Sequence, residues 1–185
     1  VGGDYYSRTG NIAVTSGKFY AEVKITQVGG ESQVGIIDIV KATGDSWYAN
    51  AIERAYVYLQ NGNRYSNDSG GSWGANSYTT GDIIGVAMDL DNNKVYVSKN
   101  GVFQNSGDPT SGATGTGAMY SITDGYDYTF VSTTQDGGTD PVHEWNFGSP
   151  PFAISSGNTD GNGFGNFEYA VPSGFLALCT NNLNV

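Results

Sequence analysis

The chain has 185 residues, of which only 14% are charged, and its formal net charge at pH 7 is −10. All eight Lys and Arg residues lie at or before Lys99, so the anionic second half is unsuited to binding a nucleic acid backbone. The abundance of Gly, Ser, Thr, Asn and Tyr favours an all-β protein with many turns, and no apolar run is long enough for membrane insertion.

The first clear strand signal follows a mixed polar segment over residues 1–15. From Phe19 to Ile25 the odd positions are apolar, and the even positions are Tyr20, Glu22, Lys24 and Thr26. This period of two predicts a strand with its apolar face in the core and its polar face in solvent. After Gly29-Gly30, the next strand is predicted from Gln33 to Ile39.

The middle of the chain combines two loops with a strand. Residues 41–54 have no clear period and are predicted to form a surface loop, and residues 67–76 form a second loop rich in Gly, Ser and Asn. Between them, residues 55–59 alternate Ala, Val and Leu with Tyr, which predicts a strand.

A hairpin is predicted from Gly81 to Phe103. Residues 82–90 are mostly apolar with little alternation, which is typical of a strand buried on both faces. Residues 91–94 (Asp-Asn-Asn-Lys) supply a tight turn, because Asn and Asp tolerate a positive φ. The returning strand ends at Asn100-Gly101.

The second half continues with short strands between loops. Residues 104–117 are of low complexity and predict an exposed, mobile loop with nothing to bury. Strands are predicted at 119–123, 128–131 and 142–147, the last carrying Trp145 and Phe147 as core residues. Residues 175–179 end the ordered core, and about ten short strands in one domain over residues 1–185 predict a β-sandwich.

Several segments of this pattern resemble motifs of SPRY (B30.2-like) domains. They are residues 81–85 (Gly-Asp-Ile-Ile-Gly), 88–91 (Met-Asp-Leu-Asp) and 98–101 (Ser-Lys-Asn-Gly), flanked by 16–23 (Ser-Gly-Lys-Phe-Tyr-Ala-Glu-Val) and by 145–148 (Trp-Asn-Phe-Gly) with Pro151-Phe152. The resemblance implies an antiparallel two-sheet β-sandwich of the concanavalin A-like jelly-roll kind. Its motif-bearing core is 16–152, followed by C-terminal strands within 167–179.

No metal or cofactor is expected. Asp89-x-Asp91-x-Asn93 begins like a calcium loop, but Lys94 stands where an EF-hand has Gly, and a tight hairpin turn explains the acids better. The alternative is a Ca²⁺ site formed in space by loop acids, for which the candidates are Asp136, Asp140, Asp160 and Glu168.

Enzymatic activity is not expected either. Glycoside hydrolases on related sandwiches need two facing carboxylates, but Asp91 lies in the predicted turn and Glu144 stands alone on its strand. His143 has no Ser or Cys elbow near it and is predicted to be an edge-strand or solvent residue. Cys179, the one cysteine, lies in an apolar run and is predicted to be buried and inert.

Large aromatic residues in or beside loops are the candidates for ligand binding. They are Trp47, Tyr48, Tyr65 and Trp73. Rigid rings with polar tips are good contact residues for proteins and sugars, and the resemblance places the ligand surface on loops at one edge of the sandwich. The alternative is that these rings close the ends of the sandwich.

The leading hypothesis is a non-enzymatic binding or structural module. The Gly/Ser/Thr/Asn-rich loops, the scarcity of Lys and Arg, and the segment 172–183 resemble SPRY-type domains of bacteriophage and marine viral proteins. This resemblance implies a virion or extracellular location, as a capsid decoration, tail or fibre component that contacts a virion subunit or a host surface protein. Homo-oligomerisation is left open, and the alternative function is a secreted lectin-like module that binds a surface glycan.

Overall fold

A computed structural model describes residues 5–42, 48–135, 139 and 141–183. Within these residues there are thirteen strands: β1 (Tyr5–Thr9), β2 (Lys18–Gln27), β3 (Glu31–Asp38), β4 (Ala55–Leu59), β5 (Asn63–Ser66), β6 (Ser69–Ser72), β7 (Ile83–Asp89), β8 (Lys94–Lys99), β9 (Val102–Phe103), β10 (Tyr120–Ser121), β11 (Tyr128–Gln135), β12 (Val142–Asn146) and β13 (Leu176–Ala177). Short 3-10 helices lie at Ile39–Lys41, Ala49–Ala51, Gln104–Ser106, Pro109–Thr114 and Thr180–Asn182. None of the described helices has the length and apolar character that crossing a membrane requires.

The strands form two sheets that pack face to face. The six-stranded sheet has the order β1-β11-β3-β4-β5-β6. The seven-stranded sheet has the order β10-β8-β7-β2-β12, with β9 on β8 and β13 on β2. Every pairing is antiparallel except that of β13 with β2. The predicted β-sandwich is therefore confirmed.

The space between the sheets is filled as the alternation predicts. Phe19, Ala21, Val23 and Ile25 of β2 all lie in the main hydrophobic core, and every residue of β7 is buried. The turn between β7 and β8 spans Leu90 to Asn93, and Asn93 takes the positive φ (57°) that tight turns require. Both strands of the predicted hairpin are confirmed.

The even-numbered face of β2 differs from the prediction. Tyr20 and Glu22 are buried, because the chain after β12 returns over the outer face of the seven-stranded sheet. Phe167, Phe175 and Ala177 pack against Tyr20 there and form a second hydrophobic cluster. A polar residue on an alternating strand looks solvent-exposed locally, and only a distant segment can bury it.

The low-complexity segment 104–117 is also more structured than predicted. It forms two 3-10 helices, and Gln104 and Pro109 are buried. The side chain of Asp108 accepts a hydrogen bond from the backbone N–H of Thr110 (2.8 Å) and so caps the second helix. The expectation that this segment buries nothing is wrong: Gln104 is buried with its amide satisfied, because Oε1 accepts from the backbone N–H of Asn76 (2.9 Å) and Nε2 donates to the oxygen of Val102 (2.8 Å).

One side of the sandwich is bounded by the edge strands β1 and β12, one from each sheet. β12 lies over β11 and β3, since Trp145 contacts Phe130 and His143 contacts Ser32. This arrangement leaves the inter-sheet space open between the two edge strands.

Candidate functional site

The described aromatic candidates do not share one surface. Tyr65 packs on the outer face of the six-stranded sheet, in a cluster with Val57 and Val131. Trp73 lies in the core between the sheets, is only 9% exposed, and meets the ring of Tyr58 edge-on at 6.2 Å. Trp73 therefore offers little area to a partner and fits the alternative of a ring that closes the sandwich.

Tyr48 retains a surface position but is already engaged within the chain. Its ring lies 4.2 Å from the ring of Tyr5, and its hydroxyl donates to Glu31 at 2.5 Å. Burial and the neighbouring carboxylate raise the pKa of Tyr48. Trp47 lies outside the described residues, and the binding role of all four aromatic residues stays a prediction.

An opening with mixed polar and apolar lining lies between β1 and β12, and we call it the edge groove. It has a volume of about 530 Å³, which is in the range of ligand sites. Its lining consists of Tyr6, Arg8, Ser132, Thr134, Pro141, Val142, His143 and Trp145.

The strand register explains why these side chains meet. In the β1–β11 ladder Tyr6 pairs with Thr134 and Arg8 with Ser132, so all four side chains point to the same face. The intervening Ser7 points to the other face, where its hydroxyl bonds that of Thr133 at 2.7 Å. The alternation of β1 therefore places an aromatic ring and a guanidinium side by side in the groove.

Trp145 forms the opposite wall. Its ring is stacked on Phe147 with centroids 5.5 Å apart and packs against Phe130 at 5.7 Å. Its indole Nε1 donates to Ser132 Oγ at 3.1 Å. Trp145 and Phe147 both pack against the core as predicted, but they are only partly buried, because the groove reaches Trp145.

His143 lies on the edge strand, as predicted, but its ring faces inward. Nε2 forms a hydrogen bond with Ser32 Oγ at 2.9 Å, whereas the buried Nδ1 has no hydrogen-bond partner among the described residues. Burial lowers the pKa of His143 from 6.5 to about 4, so the imidazole is neutral at pH 7. A buried polar atom without a partner costs free energy, which a ligand could recover.

Arg8 carries the one formal charge on the described lining of the groove at neutral pH. Its Nη1 donates to the backbone oxygen of Ser7 at 2.9 Å, and no described acid forms an ion pair with it. Two apolar side chains flank the opening, since Tyr6 and Val142 are each 43% exposed. The groove thus combines a cation, hydroxyl groups and apolar surface.

The acids considered for catalysis or metal binding have structural roles. Buried Asp89 pairs with Lys18 at 2.9 Å and accepts from the backbone N–H of Asn92, and Asp91 accepts from the N–H of Gly17. Such contacts hold the hairpin turn in place. Across the described part of the chain, no three His, Cys, Asp or Glu side chains gather as metal ligands would.

The loop acids considered for Ca²⁺ that the structure describes also form hydrogen bonds within the chain. Asp160 is buried and accepts the backbone N–H of Ala177 (2.9 Å) and of Phe164 (2.9 Å). Glu168 accepts from Ser155 instead, and Asp136 and Asp140 lie outside the described residues. Hydrogen bonds lower the pKa of both Asp160 and Glu168, which is the behaviour of carboxylates that hold loops together.

From the sequence, residues 1–15, with Tyr5-Tyr6 as their only bulk, are expected to lead into the first strand or pack along an edge, but neither Tyr6 nor Arg8 is predicted as a site residue. Their signal was present in the alternation Tyr5-Tyr6-Ser7-Arg8-Thr9, but five residues in a polar segment predict a strand only weakly. The groove itself could not be predicted, because its two walls come from opposite ends of the chain.

Comparisons with known proteins support the fold. No protein family model matches the sequence, and no curated protein matches it either. Among solved structures, the SPRY domain of human HERC1 matches with a TM-score of 0.59 at 16% sequence identity. The match covers 78% of this chain and 82% of that one. At this identity the likeness concerns the fold alone, and the chain has the β-sandwich fold of a SPRY domain.

Proposed function

We propose that this chain is a non-enzymatic binding module that recognises a protein partner, and that an extended segment of the partner occupies the edge groove. The observation that carries the proposal is the chemistry of the groove. Among the described residues, the guanidinium of Arg8 has no ion-pair partner and Nδ1 of His143 has no hydrogen-bond partner, and both lie beside exposed apolar side chains.

The geometry favours a polypeptide. Both sides of the opening are edge strands, and an extended polypeptide segment can lie along the edge of a sheet. The aromatic side chains add rigid contact area at low entropic cost. The SPRY resemblance also implies a protein ligand, although it implies loops at one edge as the binding surface.

A pair of matched variants tests the location of the site. Val142→Trp should fill the mouth of the groove, whereas Val102→Trp adds the same bulk at another exposed strand position (Val102 is 68% exposed). Peptides would be selected from a random displayed library against the parent chain, and their affinities for both variants measured by calorimetry. We expect Val142→Trp to weaken binding at least about tenfold and Val102→Trp to leave it unchanged.

Unchanged binding by both Trp variants would exclude the groove and direct the search to the loops. If the selected peptides bind both Trp variants as well as the parent, the edge groove is not the binding site. Loss of binding in Tyr48→Ala would then support the aromatic loop residues. The dependence of peptide affinity on ionic strength is a second criterion. Contacts by uncharged rings depend only weakly on ionic strength, so a weak dependence would favour the aromatic loop residues.

The biological setting is a finer part of the proposal. A virion or extracellular location, with a virion subunit or a host surface protein as the partner, is supported by the resemblance of the loops to viral SPRY-type domains. Recovery of the chain as a stoichiometric component of purified particles would support this setting. Its absence from particles produced by the source genome would contradict it.

A lectin-like module is the second candidate function. Trp145 and Tyr6 border a cavity that also carries the hydroxyls of Ser132 and Thr134, and aromatic rings with nearby hydrogen-bonding groups suit a sugar. A glycan array distinguishes the candidates: selective glycan binding that is lost in Val142→Trp, with no peptide binding, would favour the lectin.

A further inference from the structure

We infer that the chain binds a carboxylate group at Arg64, in a second cavity on the side of the sandwich opposite the edge groove. This cavity lies between β6 and β10, which are the edge strands of the two sheets on that side. We call it the Arg64 cleft. It has a volume of about 280 Å³ and is lined by Arg64, Ser69, Gly70, Gly71, Ser72 and Tyr120. The inference goes beyond the proposed function, because the two cavities share no residue.

The hairpin of β5 and β6 places Arg64 on the inner face of the six-stranded sheet. Arg64 is opposite Tyr58 of β4, which belongs to the core between the sheets, and opposite Gly71 of β6. Residues directly opposite each other in a ladder point to the same face. Gly71 has no side chain, and no described atom beyond its chain neighbours lies within 4 Å of the position that its Cβ would take. The space beside Arg64 therefore stays open.

Two aromatic rings and one carbonyl hold the guanidinium of Arg64 in place. Its Cζ lies 4.7 Å from the ring centroid of Tyr120 and 5.5 Å from that of Trp73, and its Nη1 donates to the backbone oxygen of Met119. The Tyr120 hydroxyl donates in turn to the backbone oxygen of Ser69 at 3.4 Å. These contacts order a long side chain before any ligand arrives, so binding costs less conformational entropy.

The charge of this guanidinium is not neutralised by the described part of the chain. A guanidinium has five N–H donors, and the carbonyl of Met119 that accepts from Nη1 carries no charge. No described acid forms an ion pair with Arg64. Of the three arginines in the sequence, Arg54 pairs with Asp38, whereas Arg8 and Arg64 each line a cavity. Arg64 thus offers an ordered cation with donors to spare.

A carboxylate fits this cleft better than other anions. A planar guanidinium binds a carboxylate through two parallel N–H···O bonds, and the hydroxyls of Ser69 and Ser72, which form no hydrogen bond with described residues, can donate to the same group. A phosphate suits a guanidinium as well, but it carries up to two charges, and Arg64 is the one cation on the lining. The volume lies just below the roughly 300 Å³ at which pockets for drug-sized ligands begin, so the cleft admits a small acid or a single acidic group.

A purely structural role for Arg64 makes a different prediction. Its contacts with Tyr120, Trp73 and Met119 would then serve only to close this side of the sandwich. Arg64 variants would lose stability, and the parent would bind carboxylates no better than uncharged amides. A variant that fills the cleft and leaves Arg64 in place separates the two roles, because it removes a binding site without removing a structural contact.

Three pairs of small probes test the inference and identify the source of the carboxylate. Propionate and propionamide represent aliphatic acids, N-acetylglutamate amide and N-acetylglutamine amide represent side chains, and glucuronate and glucose represent sugars. Inorganic phosphate is added as a separate anion. Affinities would be obtained by NMR titration from the backbone amide signals of Ser69–Ser72, which report on the cleft itself.

The variants are matched in pairs. Arg64→Gln removes the cation, and Arg8→Gln removes the same charge from the other arginine without a described ion pair. Ser69→Phe adds a ring at an exposed position on the lining, and Val102→Phe adds the same ring at an exposed strand position outside it. Urea denaturation of each variant shows whether the fold is kept.

We expect at least one acid to bind the parent with a Kd of about 1 mM and at least about fivefold more tightly than its uncharged counterpart. Arg64→Gln and Ser69→Phe should each weaken this binding at least about fivefold, whereas Arg8→Gln and Val102→Phe should leave it unchanged. Arg64→Lys should restore only part of the affinity lost in Arg64→Gln, because a lysine is a point charge without the planar fork. The acid that binds most tightly identifies the source.

Four results would overturn the inference. Equal affinity for every acid and its uncharged counterpart excludes the carboxylate, and binding that persists in a folded Ser69→Phe chain excludes the cleft. Loss of stability in Arg64→Gln without acid binding by the parent supports the structural role. Tighter binding of phosphate than of every carboxylate would replace the ligand class. The proposed function is tested separately, because Val142→Trp changes the edge groove and not this cleft.

Discussion

The molecule contains two polar regions that differ in how their hydrogen bonds are satisfied. On the outer face of the seven-stranded sheet, Glu22 is fully buried and accepts from the backbone N–H groups of Glu168 (2.9 Å) and Tyr169 (2.8 Å), and from Tyr20 Oη (3.2 Å). In the edge groove, Arg8 has one backbone acceptor, and His143 Nδ1 has no hydrogen-bond partner among the described residues. The carboxylate of the first region has its hydrogen-bond partners within the chain. In the second region, donors and acceptors are left without partners among the described residues.

This is the difference that we expect between a structural polar site and the binding site that we propose. Burial raises the pKa of Glu22 although four hydrogen bonds oppose the shift, so the carboxylate is held at a cost for the sake of the loop that it anchors. Among the described residues, Arg8 bonds the oxygen of the adjacent Ser7 and His143 bonds Ser32 across the two sheets, so both bonds lie within or between strands and hold no loop in place. Spare polar capacity beside apolar surface is what a partner can use.

The largest loss of stability should come from replacing Glu22. Glu22→Ala would leave the N–H groups of Glu168 and Tyr169 unsatisfied, and we expect a loss of about 3 to 5 kcal/mol in the free energy of unfolding. Glu22→Gln keeps one acceptor and removes a buried charge, so it should cost about 1 to 2 kcal/mol. Urea denaturation measures both.

Glu144→Gln is the matched control. Glu144 lies on the neighbouring strand β12 and bonds Thr26 at the surface, so its replacement should change stability by less than about 0.5 kcal/mol. Equal costs for Glu22→Ala and Glu144→Gln would mean that the segment after β12 does not depend on Glu22.

The next effect concerns the wall of the groove. Trp145→Ala removes the stacking on Phe147 and the contact with Phe130, for an expected loss of about 3 kcal/mol. Trp145→Phe keeps most of the ring area but loses the hydrogen bond to Ser132, for about 1 kcal/mol. A cost below about 1 kcal/mol for Trp145→Ala would show that the Trp145 ring contributes little to the stability of the core.

The same comparison shows how far the sequence could be interpreted. The alternation in β2 and the apolar run of β7 predict the inter-sheet core, because both signals are local. The cover over Tyr20 and Glu22 comes from residues near 167–177, and no local pattern reveals such a distant contact. The edge groove has the same difficulty, since Arg8 and His143 belong to strands at opposite ends of the chain.

His143 should give a pH-dependent effect of intermediate size. Its pKa is about 4 in the folded chain and 6.5 without burial, so the unfolded chain takes up its proton at a higher pH. The stabilising contribution of the neutral ring is complete above pH 6.5 and is lost as the pH falls toward 4. Since the ring borders an open groove next to Arg8, we expect about 2 kcal/mol over this window.

His143→Gln tests this expectation. Glutamine can still bond Ser32 but does not titrate, so its stability curve should fall less than that of the parent between pH 6.5 and 4. The measurement is the difference between the two unfolding free energies at each pH. Curves that stay parallel would mean that the ring is solvated and protonates normally when folded.

The smallest expected effect is the most informative about the groove. Arg8→Gln should change the free energy of unfolding by less than about 0.5 kcal/mol, because Arg8 forms no ion pair with a described residue. Arg54→Gln is the contrasting variant. It removes the same charge from a residue that binds buried Asp38 at 2.8 Å, and it should cost about 2 to 3 kcal/mol. A stable Arg8→Gln chain that binds the library-selected peptides more weakly than the parent would separate binding from folding, because a residue that folding does not need would then contribute to recognition.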